Sequence, residues 1–140
     1  MIIAIIFVLI QGPEPTQHPR EEGTVIPNAT DSLPGAQGVV DVGPEEFEAN
    51  LGNAFVIQTH TPYEGEIEGT DLLAERWSDM ESYADMLPED RSQLLLVYCR
   101  TARMSRTSAR QIEALGYENI LHLEGGMVAW EASGREIIFR

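Results

Sequence analysis

A chain of 140 residues, 43% of them hydrophobic, can bury one real core but not two. Its 23 acidic residues face nine basic ones, every one an arginine, for a formal net charge of −14. Such a surface repels nucleic acid and anionic membrane surfaces, and both drop out as partners. Residues 1–10, MIIAIIFVLI, are continuously apolar yet fall short of the roughly 20 residues needed to span a bilayer. They read as an export or anchor segment, which would put the protein outside the cytoplasm, secreted or tethered to a membrane. The competing reading is a strand of the domain, with a cytoplasmic protein. Residues 11–37 form a linker punctuated by Pro13, Pro15, Pro19, Pro27 and Pro34, with Asn28-Ala29-Thr30 matching a glycosylation pattern. The folded domain is assigned to residues 38–140.

Within it, Val39, Val40 and Val42 predict a first strand, and Pro44 opens a helix, PEEFEANL, whose buried side is Phe47 and Leu51. Ala54 to Ile57 is a second buried strand, followed by a long loop from Gln58 to Thr70. Leu72 and Leu73 suggest an edge strand. Trp77 to Leu87 reads as a helix with Trp77, Met80, Ala84 and Leu87 as its apolar stripe, ended by Pro88. Leu94 to Tyr98 is an unbroken apolar run, the pattern of a strand covered on both faces. After a short loop, helical spacing begins at Ser105 and runs through Ser108, Ala109, Ile112 and Leu115 to a stop at Gly116. Ile120 to Leu123 is the last strand. Gly125-Gly126 then turns into a short helix, Met127 to Trp130, with close backbone approach to the preceding loop and Trp130 closing the core. His60 and His122 read as structural histidines, His122 on one face of the sheet. Strands alternating with helices predict a three-layer α/β/α domain around a parallel sheet.

The chemistry sits in the loop that leaves the apolar strand, C-R-T-A-R-M, led by Cys99, the only cysteine. Ligands bind at strand carboxyl ends in open α/β sheets. Arg100, Arg103 and Arg106 fall within seven positions of the sulfur, and arginines and helix N-termini favour the nucleophilic thiolate. The bland alternative is a buried, inert cysteine. Burying the loop would strand three charges, so a reactive thiol is expected. With no second cysteine to resolve an intermediate, disulfide exchange is disfavoured.

The segment VYCRTARMSRTSARQIEALGYENILHLEGGMVAW resembles the C-terminal half of a rhodanese domain: strand, Cys-led loop, helix, L-G-Y, strand, G-G-x-x-A-W. The resemblance implies a five-stranded sheet and a sulfurtransferase in which Cys99 carries sulfane sulfur as a persulfide. It implies that Arg100, Thr101, Ala102, Arg103, Met104 and Ser105 form the substrate cradle, with loop amides holding the persulfide and Arg100 and Arg103 attracting the donor. The partners implied are a small anionic sulfur donor and a thiol acceptor, either a small molecule or a protein, and no metal or organic cofactor. The sequence departs from the family pattern at Gln58, His60, Glu66 and Glu68, in a way similar to some exported relatives. It departs again at Met104, where an arginine is common. Glu66 and Glu68 near an anion site would repel the donor. A phosphatase of the Cys-x5-Arg type would need arginine at position 105, which is serine. The alternative from another class is a non-catalytic rhodanese-like module that binds a partner or senses redox state.

Overall fold

The computed structural model describes residues 38–140, so the apolar segment 1–10 and the linker 11–37 lie outside the described residues. Five strands, β1 (Gly38–Val42), β2 (Phe55–Gln58), β3 (Leu72–Leu73), β4 (Leu95–Tyr98) and β5 (Asn119–Leu123), form one sheet in the order β1-β5-β4-β2-β3. Every pairing is parallel. The helices are α1 (Pro44–Asn50), α2 (Arg103–Ala114) and α3 (Gly126–Ala132). No described helix is long and apolar enough to cross a membrane.

The unbroken apolar run becomes β4, the middle strand, with all four residues fully buried. Because side chains alternate across the pleat, β4 feeds two cores. Leu95 and Val97 join Ile57, Ile120 and the Ala109 and Ile112 face of α2. Leu96 and Tyr98 join Val56, Leu121, Phe47 of α1, and Met127 and Trp130 of α3. Phe47 meets Tyr98 and Trp130 edge to face, with ring centroids 5.9 and 6.2 Å apart. These two cores give the predicted three layers, and β3 is the expected edge strand.

The predicted helix from Trp77 to Leu87 does not form; the segment is a series of turns with one 3-10 turn at Met80–Tyr83. Its backbone is claimed by α2. The Ser108 hydroxyl donates to the Trp77 carbonyl at 2.6 Å, Gln111 Nε2 donates to the Ser78 carbonyl at 2.8 Å, and the Met80 amide donates to Gln111 Oε1 at 2.8 Å. Those groups are then unavailable to a helical ladder. Met80 and Leu87 still reach the core, but Tyr83 takes the place expected of Ala84, which is exposed. Helix α2 starts at Arg103, two residues before the predicted Ser105, and Leu51 opens a 3-10 turn beyond α1.

The loop between β2 and β3 is fixed by its own residues. Gly65, at φ +96°, lies where a Cβ would strike Ile137, because the antiparallel bridge between Glu66 and Ile138 brings the C-terminal segment across it. Ile67 fills the core. The Tyr98 hydroxyl accepts from the Ile67 amide and shares a 2.7 Å hydrogen bond with Thr70. Asp71 Oδ2 accepts from the Val56 amide at 2.8 Å. Burial pushes the Tyr98 phenol well above its ordinary range.

Candidate functional site

Cys99 follows directly on β4, and its loop turns at Ala102 into the N-terminus of α2. The chain reverses so tightly that the thiol faces the helix it precedes. The Ala102 amide lies 3.1 Å from Cys99 Sγ, and the Ser105 hydroxyl, which also reaches the Ala102 carbonyl at 3.1 Å, lies 3.2 Å from it. The first-turn amides of an α-helix have no intrahelical acceptor, and α2 begins at Arg103, directly after the Ala102 amide that meets the sulfur. Ala102 is the sole non-glycine residue at positive φ (+120°) among the described residues. Such a conformation is strained for a residue bearing a Cβ, and the strain sits where the loop wraps the sulfur.

From below, α3 holds the loop. The Met127 amide donates to the Cys99 carbonyl at 2.9 Å, and the Val128 amide donates to the Arg100 carbonyl at 3.0 Å. Gly126, at φ +58°, permits this: a Cβ there would lie 2.4 Å from the Cys99 oxygen and 2.5 Å from the Arg100 carbonyl. The close approach expected of the glycine pair is therefore a backbone-to-backbone contact with the cysteine loop itself.

The structure answers the choice between a buried and an accessible thiol unexpectedly. Cys99 is only 1% exposed, yet no charge is stranded, since the arginine heads turn outward. Arg100 pairs with Glu64 at 3.1 Å and Arg106 with Asp41 at 3.4 Å, while Arg103 and Thr101 are exposed. Met104 is half-buried in the first turn of α2, and Ser105 is fully buried. Of the six residues expected to form the cradle, Ala102 and Ser105 touch the sulfur, while Arg100 is paired with Glu64 at the surface and Arg103 faces solvent.

The carboxylate that meets the loop is Glu64, not Glu66 or Glu68. Glu66 is buried beneath Arg140, with which it pairs, and Glu68 faces solvent. The Glu66 contact raises the Arg140 guanidinium above its usual range. His60 lies 2.5 Å from Glu64, and that hydrogen bond, helped by the Arg100 charge, holds the Glu64 carboxyl below the usual carboxylate range. His60 is therefore tied to the cysteine loop through Glu64.

Two residues join the site that sequence reasoning did not place there. His122, fully buried, has Nε2 at 2.7 Å from Ser105 Oγ and Nδ1 at 2.7 Å from Asp41 Oδ1. The strand pairing explains the meeting. Asp41 is the register partner of His122 across β1 and β5, and Val97 is its partner across β5 and β4. Cys99 lies two residues beyond Val97, and so on the same face of the pleat. The available signal was parity: Val39 and Asp41, Ile120 and His122, Val97 and Cys99 are same-face pairs on the side covered by α2.

A family model, the rhodanese-like domain, matches residues 27–133. The probable adenylyltransferase/sulfurtransferase MoeZ of Mycobacterium tuberculosis is 30% identical over 108 residues, covering 73% of this chain but 27% of that protein. An uncharacterized protein of Synechocystis is 35% identical over 48 residues, covering 34% of this chain and 27% of its own. The chain thus spans about a quarter of the length of the curated relatives it matches. Among solved structures, a rhodanese-related protein of Thermoplasma volcanium superposes with a TM-score of 0.61 at 20% identity, over 71% of this chain and 98% of that one. A rhodanese-like domain protein of Staphylococcus aureus gives 0.57 at 19%, over 71% and 97%. These last likenesses speak for the fold.

Proposed function

This chain belongs to the family of rhodanese-like domains, and on that premise we propose that it is a sulfurtransferase working through a Cys99 persulfide. The observation that carries the reading is the sulfur's setting. Cys99 Sγ lies at the head of α2 with an amide at 3.1 Å and a hydroxyl at 3.2 Å, donors that favour a sulfur anion. The thiolate attacks the outer sulfur of thiosulfate, the bond between the two donor sulfurs breaks, and sulfite leaves with the electron pair. Cys99-S-S⁻ remains, and an acceptor thiol or cyanide takes the outer sulfur and regenerates the thiolate. This is covalent catalysis by an activated nucleophile. A surface groove lined by Tyr63, Glu64, Arg100, Met127 and Phe139 lies against the loop and supplies an approach for the acceptor.

Intact mass after incubation with thiosulfate tests the step. A gain of about 32 Da, one sulfur atom, reversed by cyanide and absent from Cys99→Ser, is the expected result. The burial of Cys99 favours a second reading, a partner-binding or redox-sensing module. Absence of the adduct with both thiosulfate and a persulfide donor, together with partner capture that survives Cys99→Ala, would select it. Residues 1–10 keep their reading as an export or anchor segment, tested by cell fractionation. Recovery in the cytoplasmic fraction would remove it.

A further inference from the structure

The hydrogen bonds around Cys99 continue inward. Cys99 Sγ to Ser105 Oγ is 3.2 Å, Ser105 Oγ to His122 Nε2 is 2.7 Å, and His122 Nδ1 to Asp41 Oδ1 is 2.7 Å. Ser105 and His122 are both fully buried, whereas the Asp41 side chain is 44% exposed. A buried imidazole with one polar partner on each nitrogen has two routes for a proton, one toward solvent through Asp41 and one toward the sulfur through Ser105.

We propose that Asp41, His122 and Ser105 form a proton relay that activates Cys99 from inside the sheet. In the resting thiol, the Cys99 S–H donates to Ser105 Oγ, the Ser105 O–H donates to His122 Nε2, and His122 Nδ1–H donates to Asp41. On activation the S–H bond breaks as its proton bonds to Ser105 Oγ, and the original Ser105 proton passes to His122 Nε2. The result is a thiolate accepting from the Ser105 hydroxyl and an imidazolium held by the Asp41 carboxylate. No proton enters or leaves the protein, and no redox partner is needed. The charged groups around the relay fit this assignment. Arg106 of α2 pairs with the second Asp41 oxygen, Arg110 and Glu113 line the same surface cleft, and the β4 neighbour of His122 is the apolar Val97. A guanidinium has no acceptor for a thiol proton, and the side-chain oxygen that touches the sulfur is that of the buried Ser105.

Ser105 and His122 are here positioning residues that act on the nucleophile. The relay rests on the reading of Cys99 as a nucleophile, so it is tested with no sulfur donor present. The thiolate absorbance of the wild type is followed from acid to alkaline pH, beside Ser105→Ala, Ser105→Thr and His122→Asn, with nitrogen NMR of His122 recorded in wild type and Cys99→Ser. The expected result is thiolate at neutral pH, reduced roughly tenfold or more in Ser105→Ala and His122→Asn, restored at alkaline pH, and largely kept in Ser105→Thr. His122 should carry protons on both nitrogens in wild type and on one in Cys99→Ser, a change that a purely structural histidine would not show. Unchanged thiolate absorbance in Ser105→Ala, or identical His122 signals with and without the sulfur, would overturn the relay. Ser105→Ala removes one oxygen, so the test stands even if His122→Asn does not fold. Thiolate without a persulfide adduct would instead refute sulfur transfer and leave the relay in place.

Discussion

Replacing Gly126 by alanine perturbs the loop without touching any side chain of the site. Two costs add. At φ +58° a Cβ is unfavourable by about 1–2 kcal/mol. The new carbon would also lie 2.4 Å from the Cys99 carbonyl oxygen, whereas real Cβ contacts stay beyond 3.0 Å, so backbone must retreat by more than half an ångström. That movement strains the Met127 and Val128 amide bonds at 2.9 and 3.0 Å, each contributing about 0.5–1.5 kcal/mol. The expected loss is about 2–5 kcal/mol, a large part of the roughly 5–15 kcal/mol typical of a domain. It should lower the melting temperature by about 10 °C or more. Gly134→Ala is the control, since Gly134 has φ +88° but nothing within 4 Å of a Cβ, and it should cost about 1 kcal/mol. Gly52→Ala, with neither problem, should be neutral. Thermal melts of the three variants, with the persulfide-forming rate of each, make the comparison. For Gly126→Ala that rate should fall about tenfold, because ångström-scale misplacement of a reacting group costs up to about a hundredfold. If Gly126→Ala melts together with Gly134→Ala and reacts like wild type, the contact with the loop carries no energy.

Three other expectations concern the core and the loop. Phe47→Ala removes a fully buried ring that meets Tyr98 and Trp130, and urea unfolding should show a loss of about 3–5 kcal/mol; under 1.5 kcal/mol would mean that the core collapses into the gap. Ala102→Gly relieves the φ of +120° and should raise stability by up to about 1 kcal/mol, the released strain being partly offset by glycine's unfolded-state entropy. A loss of stability would place the strain elsewhere. Glu64→Gln frees Arg100 and should lower KM for thiosulfate about two- to fivefold at low salt, with the gap closing above about 0.1 M. Glu64 is held below its ordinary value, so its contacts are in place above that ordinary value and are lost as pH falls through the lowered one. Wild type and variant should therefore converge in acid, and a gap that persists there refutes the pairing.

What could be read from the chain was local. The run Leu94 to Tyr98, the sole cysteine, the helical spacing after it and the paired glycines are contiguous features, and they place β4, the loop, α2 and α3 without knowledge of which strands are neighbours. The Trp77 to Leu87 segment misled because its apolar spacing is real, while the competition for its carbonyls comes from Ser108 and Gln111, some thirty residues away. Asp41 and His122 were legible only as far as strand parity, for a related reason. Each is an ordinary polar residue in an apolar strand, and only the register of β1 on β5, and of β5 on β4, sets them side by side beneath the sulfur. The ion pair of Glu64 with Arg100 depends on the long loop folding back over the strand ends, which no periodicity encodes.

The two amides that α3 lends to the loop have a practical consequence. Met127 and Val128 exchange their protons with solvent only when their bonds to the Cys99 and Arg100 carbonyls open, so their exchange rates time the opening of the sulfur's enclosure. An anion seated in the closed cradle would slow that clock, by about a hundredfold at a concentration one hundred times its dissociation constant. Donors that bind but never react would still register on it, which separates occupancy of the cradle from turnover.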